Sequence, residues 1–400
     1  MNADKTDEAP RRANSLKPTG IAKTETCIDG FDEITDGGIP RGRVTLVLGS
    51  PGAGKTVFAL ETLVNGARNH REPGIFIAFE ENSRQIIANA GTFGWDLSAL
   101  ERERLFFLDA HLSPTVVQAG QFDLAGMLAG VGAKAKEMNA TRVVLDGIDV
   151  LLTLLDDPGA ERREMYRIYE WLQAENLTGI ITGKSGEADR TTAERYAFMQ
   201  FMVDCVVLLH HRLSDRVSIR TLRIMKYRGS AFSENEFPLV IGHDGIHVST
   251  FAALSLDRQA STERISTGIP RLDTMLGGGY YRGSSVLISG APGTAKTTLS
   301  AAYAAAACRR GETALIMTFD EGASQYVRNL ASVGLDLQQC VDARQLIIRS
   351  VRTESQGAEE HLMSLKALVD EHEPSVLVID PISALAKTAA TSLRRTHPSA

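Results

Sequence analysis

Apolar positions in the first 250 residues fall into short runs separated by stretches of helical spacing. The runs Val44–Leu48, Ile75–Phe79, Leu105–Leu108, Val143–Leu145, Gly179–Thr182 and Val206–Leu209 are short and mostly apolar, which predicts buried strands. Between the fourth and fifth, Arg163 to Leu172 sets Met165, Ile168 and Leu172 on one helical face. Alternating strands and helices predict an α/β fold, a mostly parallel sheet covered by helices on both faces. An antiparallel extension follows: Val217–Ile219, then Thr221–Tyr227 with Leu222 and Ile224 alternating, before a turn near Gly229. In such sheets ligands bind beyond the carboxyl ends of the strands, and the candidate chemical residues are expected at those ends.

The first run leads into Gly49-Ser50-Pro51-Gly52-Ala53-Gly54-Lys55-Thr56, which fits G-x-x-x-x-G-K-[ST], and Val57 to Val64 continue with helical spacing. Glycines let backbone N–H groups turn inward at dihedral angles other residues resist. Those N–H groups and the positive helix end make a cradle for the β-phosphate of a nucleotide. Lys55 is expected at the β/γ oxygens and the Thr56 hydroxyl on Mg²⁺. Asp146, closing Arg142-Val143-Val144-Leu145, is the expected second Mg²⁺ anchor, through water. Glu80 and Glu81 close Ile75–Phe79, where a carboxylate can orient the water attacking a γ-phosphate. Glu80 is expected as the base, with Glu81 supporting it. Lys226 and Arg228 alternate onto one face of the late strand, and cations there can reach a γ-phosphate in the same chain or across a subunit boundary. His210, His211 and Asp204 make no metal constellation, since adjacent strand residues face opposite ways. Trp95 reads as packing.

The pattern occurs twice. Gly30-Phe31-Asp32 with Gly37 to Gly42 recurs as Gly268 to Asp273 with Gly277 to Gly283. The phosphate loop recurs 241 residues on as Gly290-Ala291-Pro292-Gly293-Thr294-Ala295-Lys296-Thr297. So long a period means two copies of a whole domain, 18–255 and 256–400, with a seam in the polar segment Leu256 to Arg264. Residues 1–17 are expected to be a disordered tail. In the second copy Ala295 replaces the last loop glycine, a strain of about 1 kcal/mol or more if that position needs a positive φ. Asp320 and Glu321 hold the acidic positions, and Thr297 and Asp380 the Mg²⁺ positions. Asp380 closes Val376–Ile379 with 20 residues after it, against some 103 from Asp146 to Ser249. The second copy is therefore read as incomplete, lacking late strands and a Lys-x-Arg pair, with an uncovered sheet edge.

Composition narrows the setting. The chain of 400 residues is 43% hydrophobic and 23% charged, as in an ordinary globular protein. No apolar run is long enough to span a membrane, and Met1 to Pro18 lack the apolar core of a secretion signal. A net charge of −6 argues against a nucleic-acid partner that needs a strongly basic surface, and Arg11-Arg12 is too short a patch. The four cysteines, Cys27, Cys205, Cys308 and Cys340, form no C-x-x-C pair. Neither a zinc site nor a disulfide framework is expected, which points to a reducing, cytoplasmic setting. Cys205, inside Val203–Leu209, is expected to be a small buried hydrophobe.

The ordered set of matching stretches resembles the KaiC group of RecA-type ATPases, known from the cyanobacterial circadian clock. They are Gly30-Phe31-Asp32 with Gly37-Gly38, Gly49 to Thr56, Phe79-Glu80-Glu81, Thr92 before Phe93 to Leu97, Phe107-Leu108-Asp109-Ala110, and Arg142 to Asp146. They continue through Lys226-x-Arg228-Gly229-Ser230, Glu236-Phe237-Pro238 and Gly245-Ile246, covering nearly all of residues 18–250. The resemblance implies two tandem RecA-like P-loop NTPase domains that use ATP and Mg²⁺, in a double-ring hexamer with ATP at subunit interfaces. It makes Glu80 the general base, lets Lys226 and Arg228 complete the neighbour's site, and makes Thr92 and Ser230 nucleotide contacts. Phe232 stands where family members have His, so that contact is not carried over. The resemblance also implies coupling to a protein signalling partner and serine/threonine kinase activity, against which the shortened second copy stands. Two other readings share the loop: a RecA- or RadA-type DNA-dependent ATPase, opposed by the acidic charge and the missing N-terminal zinc cysteines, and a nucleotide-gated scaffold without turnover.

Overall fold

The structure is a computed structural model that describes residues 20–110, 123–155, 157–185, 197–214, 217–250, 260–352 and 357–385. The expected tail over 1–17, Arg11-Arg12, part of the proposed seam and the last residues lie outside these.

The first copy is built on one nine-stranded sheet. After β1 (Lys23–Thr24), α1 (Phe31–Ile34) and β2 (Ile39–Pro40) come β3 (Val44–Gly49), α2 (Lys55–Asn69), β4 (Gly74–Ala78), α3 (Ser83–Ala90) and α4 (Leu97–Glu103). Then follow β5 (Leu105–Asp109), α5 (Leu124–Met138), β6 (Arg142–Asp146), α6 (Ile148–Thr153), α7 (Pro158–Ala174) and β7 (Thr178–Lys184). The half closes with β8 (Cys205–Ser214), β9 (Val217–Tyr227), β10 (Glu236–Ile241) and β11 (Ile246–Val248). The strand order is β11-β10-β9-β8-β3-β7-β6-β4-β5. β8 through β5 run parallel, and β9, β10 and β11 add antiparallel. All six expected parallel strands are present, so the α/β reading holds. The late extension differs. Val217 to Tyr227 is one strand, because its pairing with β8 is continuous apart from a register shift at Val206/Val207. β10 and β11 are strands where the sequence shows only the motif residues Glu236-Phe237-Pro238 and Gly245-Ile246. They are short and Pro238 interrupts donor capacity, which suits strands near a sheet edge.

Alternation along the strands divides the interior. Val44, Leu46, Leu48, Ile75 and Ile77 face one way, onto Leu124, Leu128 and Val131 of α5 and Met165, Ile168 and Leu172 of α7. Val47, Phe76 and Val144 face the other way, onto Phe58, Leu63 and Ala67 of α2. Strands covered on both faces read as continuous apolar runs, which is why they were visible in the sequence. Trp95 is buried in the second of these cores, as expected, and its indole N–H donates to the Asp244 carbonyl at 3.2 Å. Cys205 is buried.

The second copy contains β12 (Arg264–Ile265), α8 (Pro270–Met275), β13 (Tyr280–Tyr281), α9 (Lys296–Arg309), β14 (Ala314–Thr318), α10 (Ala323–Ala331), α11 (Gln338–Asp342), β15 (Leu346–Ser350), α12 (Ala358–His372) and β16 (Val376–Asp380). Its main sheet has three parallel strands, β15-β14-β16. These match β5-β4-β6. Among the described residues β16 pairs only with β14, and Leu377 is 43% exposed, so the uncovered edge is present. Residues 285–289, the counterpart of β3, form no strand, and Leu287 is 77% exposed. β3 is held between β7 and β8. Among the described residues no strand stands in the places of those two, so residues 285–289 have no ladder to join there. Among the described residues, no helix is long and apolar enough to cross a membrane.

One buried carboxylate ties α2 to the antiparallel end. Glu61 Oε2 accepts the Ile246 N–H at 2.9 Å, and Gly245 has a φ of 140° that favours glycine, with a Cβ there falling 2.4 Å from Glu61 Oε1. Burial pushes the Glu61 carboxyl up from 4.5 to about 8. A folded-state pKa above the unfolded one means the protonated form carries the stability, present below about pH 4.5 and lost as pH rises towards about 8. Glu61→Gln keeps an acceptor for Ile246 and should flatten the fall in unfolding free energy across that window in urea titrations. A variant whose stability drops as steeply as the wild type would contradict the assignment.

Candidate nucleotide site

β3 delivers Gly49 to the carboxyl edge of the sheet, and α2 begins at Lys55. Between them Gly52 and Gly54 take φ of 75° and 101°, and Ala53 is buried beneath the turn. The Ala53 N–H closes the turn on the Ser50 carbonyl at 3.2 Å, while Pro51 is exposed. Lys55 Nζ folds back over the loop, donating to the Gly49 and Ser50 carbonyls at 2.9 and 3.2 Å. Burial pulls its pKa down, and Asp149, Asp146 and Glu80 oppose that. A part-buried ammonium held on carbonyl oxygens can exchange them for phosphate oxygens.

Thr56 and Asp146 meet below this lysine. Thr56 Oγ1 lies 3.0 and 3.3 Å from the two Asp146 carboxylate oxygens. Asp146 also accepts from Thr182 Oγ1 at 2.6 Å, and that hydroxyl accepts the Gly147 N–H at 2.8 Å. Burial pushes the Asp146 carboxyl up, and the two threonine hydrogen bonds oppose it. A buried carboxylate beside a hydroxyl, both hard oxygen donors, fits a Mg²⁺ held partly through water. Glu80 and Glu81 follow β4, both exposed. Glu81 adds negative charge near Asp146. Gly147 lies against Glu80, where an added Cβ would approach the Glu80 Cβ to 2.9 Å.

Neighbours of this site that the sequence pattern does not show include Lys184, Asp149 and Thr182, besides Arg220, whose Nε donates to the Gly52 carbonyl at 3.1 Å. Lys184 Nζ donates to Glu80 Oε1 at 2.7 Å. The Lys184 N–H donates to Asp149 Oδ2 at 2.7 Å, and burial pushes the Asp149 carboxyl up to about 6. Lys184 pairs in register with Gly49, so it stands beside the loop as soon as β7 is known to adjoin β3. The apolar pattern contains no such adjacency.

Lys226 and Arg228 do not lie with the others. β9 runs antiparallel, so its carboxyl end falls at the opposite edge of the sheet from the loop, which corrects the expectation that every candidate sits at the loop edge. Lys226 is level with Val206 and hence with Leu46, three residues back from Gly49, about 10 Å along the strand. Lys226 Nζ donates to the carbonyls of Gln200, Phe201 and Val203, and Arg228 to those of Phe201 and Met202. The two cations are thus aligned together, turned away from their own chain's loop. Thr92 Oγ1, exposed, donates to the Asn89 carbonyl, and Ser230 Oγ, on a half-buried residue, to that of Ala231.

A sequence model of the KaiC ATPase family matches residues 24–252 and again 265–397. The chain belongs to the KaiC ATPase family. It is 41% identical over 369 residues to a circadian clock protein, KaiC2, of Synechocystis sp., covering 91% of this chain and 64% of that protein. It is 38% identical over 388 residues to the circadian clock oscillator protein KaiC of Parathermosynechococcus lividus, covering 96% and 72%. To the KaiC of Synechococcus elongatus it is 36% identical over 384 residues, covering 96% and 74%. The chain thus spans about two thirds to three quarters of these relatives.

The second KaiC match keeps the loop and loses the surroundings. Lys296 Nζ donates to the Gly290 and Ala291 carbonyls at 2.9 Å each, as Lys55 does to its own loop. Gly293 has a φ of 80°, and Thr294 Oγ1 donates to the Ala291 carbonyl. Among the described residues no hydrogen bond joins Thr297 to Asp380. Asp320 is exposed, and Glu321 accepts from Asn329 Nδ2 at 2.9 Å. Ala295 has a φ of 60°, so the left-handed position that strains a side chain is occupied by one. Ala295→Gly should therefore stabilise the second copy by about 1 kcal/mol in denaturant unfolding, and Gly54→Ala should destabilise the first by at least as much. Equal stabilities of Ala295→Gly and wild type would remove the strain from the account.

Proposed function

We propose that this chain is an ATPase whose first domain, residues 18–255, binds ATP with Mg²⁺ and hydrolyses it, the site being finished by a neighbouring subunit of a ring. The arrangement of Thr56 against Asp146 beneath Lys55, with Glu80 at the next strand end, carries the reading. In it the loop amides and Lys55 hold the β- and γ-phosphates, and Thr56 and Asp146 hold Mg²⁺. The metal, when bound, offsets charge on the β- and γ-oxygens. Glu80 orients the attacking water and takes its proton. Its ion pair with Lys184 must give way for that, so Lys184 is assigned the part of restraining the base between turnovers.

The cations Lys226 and Arg228 are assigned to the neighbour's γ-phosphate, with Thr92 and Ser230 as further nucleotide contacts across the interface. In-register distance from their own loop supports a trans role. A hexameric ring in the cytoplasm, coupled to a protein signalling partner, completes the proposal by family likeness. Residues 256–400 form the second domain in this reading and bind nucleotide through Lys296 and Thr297, with Asp320, Glu321 and Asp380 as weaker counterparts. Serine/threonine kinase activity belongs to the same family inference and ranks below ATP hydrolysis, because Thr297 and Asp380 are not joined as Thr56 and Asp146 are.

Glu80→Gln should lower phosphate release by about 100-fold or more while ATP binding persists. Turnover unchanged by that substitution would remove Glu80 as the base. Lys226→Ala should be as inactive, and mixing it with Glu80→Gln protomers should restore activity, because each mixed interface of one orientation is then complete. Two inactive variants that stay inactive when co-assembled, with ring formation verified by mass, would argue against a shared site.

A further inference from the structure

Four cysteines without a C-x-x-C pair led to no expected zinc site, yet the fold gathers a thiol, an imidazole and a carboxylate in one place. Cys27 Sγ lies 3.3 Å from His70 Nε2. Glu25 Oε2 lies 3.3 Å from the same nitrogen, and the three donor atoms are all within 4.8 Å of one another. Nothing in the proposed nucleotide chemistry uses these residues.

We propose that Glu25, Cys27 and His70 bind a divalent transition metal of the Zn²⁺ class, at the end of α2 remote from the phosphate loop. Metal–ligand distances of about 2.3 Å to sulfur and about 2.0–2.1 Å to nitrogen and oxygen, at tetrahedral angles, set donor separations of about 3.5 Å for S···N and about 3.3 Å for N···O. The two separations at His70 Nε2 match the edges of such a tetrahedron. A thiolate with an imidazole selects a borderline-soft ion and disfavours Mg²⁺ and Ca²⁺, which keeps this site chemically distinct from the oxygen-only pair at Thr56 and Asp146. Three protein ligands leave a fourth position for water or another ligand.

The ligands are held in place by the fold. Cys27 has a φ of 52°, unusual for a side chain of its type, and its backbone is pinned from both sides. Its N–H donates to Asp32 Oδ2 at 2.8 Å, and Thr26 donates to Asp32 Oδ1 through N–H and hydroxyl. Asn65 Nδ2, from α2, donates to the Thr26 and Cys27 carbonyls at 3.0 Å each. That lattice fixes Cys27 against α2, and α2 itself carries His70 as its C-terminal cap, with the His70 N–H on the Gly66 carbonyl at 3.1 Å. The negative end of the helix dipole adds a modest preference for a cation there. The side chain of His70 is 35% exposed and that of Glu25 61%, so an ion can enter from solvent without any opening of the fold.

The test uses the full chain, stripped of metal and kept free of nucleotide and Mg²⁺. Wild type should take up about one Zn²⁺ per chain, and Co²⁺ in its place should give a thiolate-to-metal charge-transfer band. Cys27→Ser and His70→Ala should each abolish that band and weaken Zn²⁺ binding by about 100-fold or more, since loss of supporting groups alone costs 10–100-fold. Cys308→Ser and Cys340→Ser should leave both unchanged. Zn²⁺ should raise the unfolding midpoint of wild type and of Cys340→Ser but not of Cys27→Ser, whose metal-free midpoint reports whether it folds. Wild type that takes up no Zn²⁺ at micromolar concentration overturns the proposal. So does Co²⁺ binding without a thiolate band, or Zn²⁺ affinity that survives Cys27→Ser and falls with Cys340→Ser.

Discussion

The first phosphate loop is anchored because β3 is clamped between two parallel strands. β7 and β8 pair with it over almost its whole length, from Val44↔Gly179 to Gly49↔Lys184 on one side and Thr45↔Cys205 to Gly49↔Leu209 on the other. That clamp fixes where Gly49 ends, and so where the loop's amides and the first turn of α2 point. The second copy provides an internal comparison. Its loop residues and helix start are similar, yet residues 285–289 hang without a ladder because the described residues contain no flanking strands. A loop motif specifies local turn geometry, while the sheet supplies its anchorage.

Around that anchor, charges are arranged so that none is comfortable alone. Lys55 loses solvation by burial and regains part of it from Asp149, Asp146 and Glu80. Asp146 is buried and leans on two threonine hydroxyls. Desolvated, incompletely paired groups of both signs have free energy to gain from a polyanion and a small cation, which is the physical meaning of a prepared site. Lys184 caps Glu80 in the same spirit, satisfying the carboxylate until something competes for it. The cations Lys226 and Arg228 follow the opposite logic. They are held by carbonyls of residues 200–203 at the far edge, although burial and the neighbouring Arg228 pull the Lys226 pKa down.

Much of this was legible in order along the chain. The six parallel strands were visible because each is buried on both faces, and the core face of α7 because Met165, Ile168 and Leu172 recur at helical spacing. The contiguous loop Gly49 to Thr56 and the strand-terminal Asp146, Glu80 and Glu81 were legible for the same reason: strand ends and loop starts are local events. Val217–Ile219 and Thr221–Tyr227 join into one strand through Arg220, which pairs with His211, because a strand on a one-sided antiparallel ribbon tolerates a polar residue.

What the sequence settled unaided was therefore what depends on neighbours in the chain: the six parallel strands, the duplicated phosphate loop, the family likeness and the acidic strand ends. Tertiary structure alone decided which strands lie side by side and in which direction. That order brought Lys184, Thr182 and Asp149 to the loop, sent Lys226 and Arg228 to the opposite edge, and drew Cys27 and His70, 43 positions apart, into contact. Periodicity reports which face of an element is buried, but strand order and direction come from long-range pairing, for which no run of residues carries a local signal.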